Sequence, residues 1–306
     1  MSTALTDTQF HAGELAAQER AGFAPAVAHI RDWMPDQHRE FFAALPFVLV
    51  AARDAEGFPL ATVLAGPPGF IASPDARTLR IGAAPAGDDP AGPWLKPGAA
   101  VGLLGIDLAT RRRNRANGVI AGASERALVV AVRESFGNCP QYIHIRAIES
   151  AADGPMPAEA MAGLDDAARA CIAAADTLFV ASSGGEAGVD ISHRGGRPGF
   201  VRVDGEVLTI PDFAGNRYFN TLGNMLVDPR AALLVPDFAR GDVLLLQGRT
   251  EIVWEVPDAE RLEGAERLWR FAVTRAWRRR RALPLRWSLR ALSRSVERTG
   301  AWSGGR

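Results

Sequence analysis

The chain is poor in the residues that most often announce chemistry. Cys139 and Cys171 are its only cysteines. That is too few for a disulfide framework, and no C-x-x-C is present to suggest a zinc or dithiol site. The histidines, His11, His29, His38, His144 and His193, show neither H-x-H nor H-E-x-x-H spacing, which argues against a dedicated metal site. G-x-S-x-G is absent, so the serines at 182 and 183 mark a flexible hairpin and not a nucleophile elbow. Gly195-Gly196 lacks the Walker lysine and does not complete G-x-G-x-x-G, so neither a P-loop nor a dinucleotide fold is supported. No run of about 18 apolar residues exists to span a bilayer. Residues 1–45 carry charges throughout and no apolar signal core. Basic and acidic residues balance at a formal charge of zero, so no global field favours nucleic acid or an acidic substrate. The expectation is a soluble, cytoplasmic protein.

What is present is material for large cores: 306 residues, 47% of them apolar, enough for two domains. Residues 10–45 have apolar residues three and four apart and read as helical; His11, Glu14, Gln18 and Glu19 are either a functional cluster or, the favoured reading, part of a solvated, capped first helix. From Pro46 the period changes to that of short strands, broken at 54–57, 66–69 and 73–76. This block recurs. Gly66-Pro67-Pro68-Gly69-Phe70 aligns with Gly196-Arg197-Pro198-Gly199-Phe200, and Asn117-Gly118 with Gln247-Gly248, each at an offset of 130 (199 − 69, 247 − 117). Matches at one offset in one order argue for a duplicated domain. Between the copies, Asp165 caps a helix whose stripe is Ala168, Cys171, Ile172 and Ala175, with Cys171 a small core hydrophobe. The tail reads as helical and very basic, with eleven arginines from Arg270 onward against Glu297 alone. Its stripes, Leu285/Leu289/Leu292/Val296 and Arg286/Arg290/Arg294/Arg298, make a basic amphipathic helix. Such a helix packs on its own domain with its arginines solvated or paired; contact with a membrane or nucleic acid is the weaker alternative. The expected divisions are a helical lead (1–45), a first β-domain (46–150), a linker helix (151–176), a second β-domain (177–256) and a basic helical extension (257–306).

Residues 189–224 concentrate the signals. Strand patterns at 189–192, 200–203 and 207–210 are separated by a glycine-proline turn and by the hairpin signal Asp204-Gly205. A loop, Asp212-Phe213-Ala214-Gly215-Asn216-Arg217, then feeds a helical pattern. Glycine, an amide and an arginine just before a helix start suit an anion, because free N–H groups and the positive helix end favour it there.

At SHRGGRPGFV (192–201), PDFAGNR (211–217) and NTLGNMLVDPRAALLV (220–235) the chain resembles the pyridoxamine 5'-phosphate oxidase-like, FMN-binding split-barrel superfamily. The resemblance implies a mainly β fold with helical additions: two tandem split β-barrels forming an intramolecular pseudo-dimer, with FMN in the cleft between them. It places Ser192, His193, Arg194 and Gly195 along the flavin, Pro211, Asp212, Asn216 and Arg217 around its phosphate, and Thr221 on the helix beneath. The first copy has Asp88 and Asp89 where the second has its phosphate loop, two carboxylates with no nearby cation, so one FMN per chain is expected. The facing wall is the arginine run 111–115, represented by Arg112, Asn114 and Arg115, and the Asn-Cys-Pro-Gln-Tyr-Ile motif through Gln141. For the run a solvated loop is an equal reading, and for Cys139 a buried structural thiol. His193 either contacts ligand or ends its strand in solvent. The implied function is an FMN-dependent oxidoreductase acting on a small organic substrate, with a homodimer compatible and no catalytic residue assigned. Alternatives are a non-enzymatic flavin carrier or sensor, and a split barrel holding haem or a deazaflavin.

Overall fold

The computed structural model describes residues 10–151 and 154–302. Its first antiparallel sheet contains β1 (Phe47–Arg53), β2 (Pro59–Ala65), β3 (Ile71–Asp75), β4 (Thr78–Ile81), β5 (Ala100–Asp107), β6 (Arg112–Ser124) and β7 (Ala127–Asn138), in the order 2-1-5-6-7-4-3. After β8 (Ile145–Ala151) and β9 (Glu159–Met161) comes a second sheet. It contains β10 (Thr177–Ser183), β11 (Val189–Gly195), β12 (Arg202–Asp204), β13 (Val207–Phe213), β14 (Arg230–Asp237), β15 (Asp242–Val253) and β16 (Ala265–Arg279). Their order, 11-10-14-15-16-13-12, is the same path repeated.

The repeat holds residue by residue. Leu49 faces Val63 as Phe179 faces His193, and Leu104 faces Arg115 as Leu234 faces Leu245; corresponding residues differ by 130 (193 − 63, 245 − 115). Both copies bulge at one place, between Asn117 and Gly118 and between Gln247 and Gly248. A Cβ on Gly118 would lie 2.1 Å from the Ala131 carbonyl oxygen, and one on Gly248 2.2 Å from that of Ala272. Both bulges therefore require glycine.

Strand alternation explains why β1 and β10 read as continuous apolar runs. In β1, Val48, Val50 and Ala52 point into the core of the first barrel, while Phe47, Leu49 and Ala51 join a core shared by both barrels. In β10, Leu178 and Val180 enter the second barrel, and Phe179 and Ala181 the shared core. Each strand is buried on both faces, so no polar alternation survives. The shared core is what makes the two barrels a pseudo-dimer. No helix among the described residues is long and apolar enough to cross a membrane.

Several expectations are corrected. The helical lead is two short helices, α1 (Ala12–Arg20) and α2 (Asp36–Ala44). The stretch between them is not helical, because Gly22 takes φ +78° and Arg31 bridges to Ser135 of the first sheet. Residues 1–9 lie outside the described residues. α1 is capped as expected, by His11 with Glu14 accepting from the His11 N–H, but it is solvated on one face only: Glu19 is exposed while Glu14 and Gln18 are buried. The linker does hold a helix, α3 (Asp166–Ala174), capped by Asp165, but β9 before it pairs with β16.

The largest correction is the tail. In place of a helical 257–306, β16 completes the second barrel by pairing with both β13 and β15, so that barrel extends past 256. β17 (Leu285–Ala291) pairs with β8 in a separate two-stranded sheet. The amphipathic stripes are therefore never formed as a helix. Their arginine-rich spacing mimics a helical period, but Trp269 and Phe271 alternate inward while Arg270 binds Glu260 at 3.2 Å; further along, Arg275 binds Glu56 and Arg278 binds Asp165.

Candidate functional site

The broken symmetry between the two copies locates the site. A cleft enclosing about 800 Å³, its open mouth included, lies where β11, the end of β13 and α4 (Asn220–Val227) of the second barrel face β6 and the end of β7 from the first. Five arginines line it: Arg113, Arg115, Arg194, Arg217 and Arg267. At the corresponding positions of the other copy, 130 residues away, Arg113 becomes Val243, Arg115 becomes Leu245, His193 becomes Val63 and Arg194 becomes Leu64. Val63, Val243 and Leu245 belong to the shared apolar core.

The second potential cleft is also closed by an ion pair. Asp89 is buried, accepts a hydrogen bond from Thr62, the counterpart of Ser192, and meets Arg279 at 2.7 Å. The sequence expectation that Asp89 has no cation is thus corrected: β16 brings one from 190 residues further on (279 − 89). Burial still pushes the Asp89 carboxyl up, against the pull of Arg279.

Within the open cleft most cations are engaged. Arg115 bonds Ser192, reaches Asn220 at 2.8 Å and pairs with Asp190 at 3.1 Å. Arg267 holds Asp212 at 2.6 Å, with Arg194 at 3.8 Å on its other side. Burial raises the Asp212 carboxyl, opposed by Arg194 and Arg267. Arg217 makes a two-pronged bond with Glu266, one prong at 2.6 Å, and its guanidinium lies 4.2 Å over Phe23. Arg113 differs from the other four. It donates to the Cys139 carbonyl at 2.9 Å and lies 3.7 Å from the Cys139 thiol, with no carboxylate partner among the described residues. Burial brings it down to about 10, so it stays charged at neutral pH.

Two further marks are physical. His193 is buried, its ring edge-on to Phe179, and both ring nitrogens lack a hydrogen-bond partner. Burial first, then Arg113, hold it well below its usual value, so it is a neutral imidazole. Tyr142, Arg217 and Phe219 all take positive φ (64°, 64° and 58°), a costly conformation for side-chain-bearing residues that clusters at functional sites. Tyr142 stacks on Phe213 at 5.3 Å and donates to the Ala214 carbonyl, and burial pushes its hydroxyl up to about 12.

Of the residues expected from sequence, Ser192, His193, Arg194, Gly195, Pro211, Asp212, Asn216, Arg217, Thr221 and Arg115 line this cleft together. Arg112 and Asn114 do not. They point to the opposite face of β6, into a depression beside Gln37 and His38, because neighbouring strand residues alternate sides. Gln141 is exposed at the turn after β7 and only receives the Cys139 thiol at 3.8 Å. Strand parity, applied from Arg115, would have selected Arg113 instead. Asn138, Tyr142 and Phe219 were also missed, and Arg267 was hidden in a tail read as helix.

The class these features define is a tandem of two split β-barrels with one polar cleft between them. No family model matches the chain, and no curated protein matches it either. Among solved structures it is similar to a putative pyridoxamine 5'-phosphate oxidase from Lactobacillus delbrueckii (20% identity, 35% of this chain and 95% of that one, TM-score 0.27). It is also similar to a FAD-binding protein from Mesorhizobium loti (13%, 41% and 99%, 0.29) and to HutZ, the haem storage protein of Vibrio cholerae (13%, 37% and 91%, 0.26).

Proposed function

We propose that the chain binds one FMN in this cleft and serves as an FMN-dependent oxidoreductase on a small organic substrate. The carrying observation is the charge balance. Five guanidiniums line the cleft, and the carboxylates bound to them are Asp190, Asp212 and Glu266, a surplus of two positive charges (5 − 3). A phosphate monoester brings about −1.5 to −2 at neutral pH. No side chain caps α4, and its first residues line the cleft beside Asn216 and Arg217, which suits a phosphate there. The stacked Tyr142 and Phe213 offer an aromatic wall for a planar ring. When bound, the flavin would supply hydride or electron-pair transfer. The chain's part is to hold the phosphate, to set the charge beside the ring through Arg113 and Arg115, and to exclude water with Phe200 and Phe219.

One observation favours a second reading. A buried, neutral imidazole with both nitrogens unpartnered, as at His193, is also the form in which histidine ligates haem iron. The absorption of purified or reconstituted protein separates the two. Flavin bands, with FMN released on denaturation, support the first reading; a haem spectrum lost in His193→Ala supports the second. Anaerobic reduction by NADH or NADPH followed by oxygen uptake tests whether bound FMN turns over. A protein that takes up no FMN from excess overturns the reading.

A further inference from the structure

Arg112 and Asn114, turned away from the cleft, belong to a second depression on the reverse face of β6. The duplication shows what sets it apart. α2 and α3 are copies of one another, 130 residues apart (166 − 36), and β6 and β15 are related by the same offset (242 − 112). In the second copy this face is closed. Asp165 caps α3 by accepting from the Ala168 N–H at 2.8 Å, and Arg278 donates to both oxygens of that carboxylate, at 2.6 and 2.8 Å. Ala168 and Leu244 belong to the second barrel's core.

In the first copy each of these groups is replaced. Pro35 stands in the place of Asp165 and gives α2 no side-chain cap. Gly137 faces Asn114 as Arg278 faces Leu244, so no arginine is supplied from β7. His38 replaces Ala168, Asn114 replaces Leu244, Arg112 replaces Asp242 and Arg111 replaces Gly241, all at one offset of 130 (168 − 38, 244 − 114, 242 − 112, 241 − 111). The depression left open is lined by Gln37, His38, Arg111, Arg112, Arg113 and Asn114, and no carboxylate among the described residues lines it.

Its charge is unanswered. Glu40 and Asp107 share an adjoining groove with Arg112, but neither Arg111 nor Arg112 has a carboxylate partner among the described residues. Arg111 holds φ 59°, whereas Gly241 takes the same left-handed conformation (φ 74°) without the cost of a Cβ. A cation is thus kept where glycine is the easier choice. Asn114 is only 8% exposed, yet its amide makes no hydrogen bond to any described residue. Water bonds an amide equally well; the arginines are what select an anion. His38, 2.8 Å from Ser135, sits in the same field: after burial, Arg31 and Arg112 lower its pKa. The sister copy shows such a place filled, with the Asp165 carboxylate held between a helix start and an arginine.

We propose that this depression is a second binding site, for a small molecule bearing a phosphate or carboxylate. Arg111 and Arg112 are its cations, Asn114 its amide donor, and the uncapped start of α2 its edge. Arg113 and Asn138 line both this site and the cleft, so the two ligands would be neighbours. The site stands whether or not the cleft holds a flavin.

The assigned ring signal of His38 in the proton NMR spectrum of the full, ligand-free chain is a local reporter. Sodium phosphate or sodium succinate, added at constant ionic strength against sodium chloride, should move that signal saturably. Response to phosphate alone identifies a phosphate ester as the ligand class, and response to succinate alone a carboxylate. Arg112→Asp and Asn114→Leu install the residues that the sister copy carries at these places, so the fold has a precedent for both. Each should weaken the response about tenfold or more, as expected for a lost hydrogen bond to a charged group. Arg217→Ala, which alters only the cleft, should leave it intact. A response no different from that to chloride overturns the site. So does one that survives unchanged in Arg112→Asp and Asn114→Leu, or one lost in Arg217→Ala, which would place the anion in the cleft.

Discussion

Arg115 and Leu245 occupy one position in two copies of the same strand, Arg115 opposite Leu104 and Leu245 opposite Leu234. One points into a polar cleft and the other into the apolar core that joins the barrels. Apolar residues and the Asp89–Arg279 pair fill one of the two symmetry-related clefts, and the other is lined by five arginines.

Arg113→Leu should therefore weaken FMN binding, through the charge lost beside the ring, at small cost to the fold. Arg113 has no carboxylate to strand, and its counterpart Val243 shows that an apolar residue suits this strand position. Fluorescence titration should give one FMN per wild-type chain and at least about tenfold weaker binding in the variant, on the order of 1.5–3 kcal/mol for a hydrogen bond to a charged group. Two FMN per chain would contradict the asymmetry.

Glu266 competes for the cation assigned to the phosphate. Its carboxylate already occupies the fork of Arg217 and reaches Arg267 at 2.8 Å. Glu266→Gln should tighten FMN binding by about 1 kcal/mol, roughly fivefold, since the pair is partly exposed and screened. Arg217→Ala should weaken it. Binding unchanged or tightened in Arg217→Ala would remove Arg217 from the phosphate site.

How much of this could be read beforehand depends on whether the signal was local. The duplication was legible because Gly118 and Gly248 each meet a steric demand that no other residue satisfies, at one spacing. The second barrel's loop and β11 were legible for a similar reason, through glycine, asparagine and arginine in a fixed local order. The tail was not. β16 is a strand because β13 and β15 flank it, a long-range fact, whereas its arginines alone suggest a helix. Arg267 went with it. The difference between Arg112 and Arg113 needed strand parity, which a run of four arginines in five positions conceals.

The paired bulges make a stability prediction that is independent of any ligand. Gly118→Ala and Gly248→Ala each force a Cβ onto a backbone carbonyl, which cannot rotate away. Each should destabilise the protein by about 3 kcal/mol or more, at the upper end of overpacking costs. Because the barrels share a core, urea unfolding followed by tryptophan fluorescence should remain a single transition in both variants. A split transition in either would show that the barrels unfold separately.

His193 ties stability to pH. In the unfolded chain its ring returns to about 6.5, while in the fold burial and Arg113 hold it well below that. Above pH 6.5 or so the ring is neutral in both states and contributes no slope. As pH falls further, the unfolded chain takes up a proton that the fold refuses, and stability drops by up to about 1.4 kcal/mol per pH unit until the folded value is reached. His38, lowered by burial with Arg31 and Arg112, acts in the same direction, so the test is a difference. Urea unfolding of wild type and His193→Gln in steps from pH 7.5 to about 5 should show the wild type losing ground to the variant only below pH 6.5. Parallel profiles would mean that the ring is protonated inside the fold. The neutral imidazole that the haem reading requires would then be ruled out at that position.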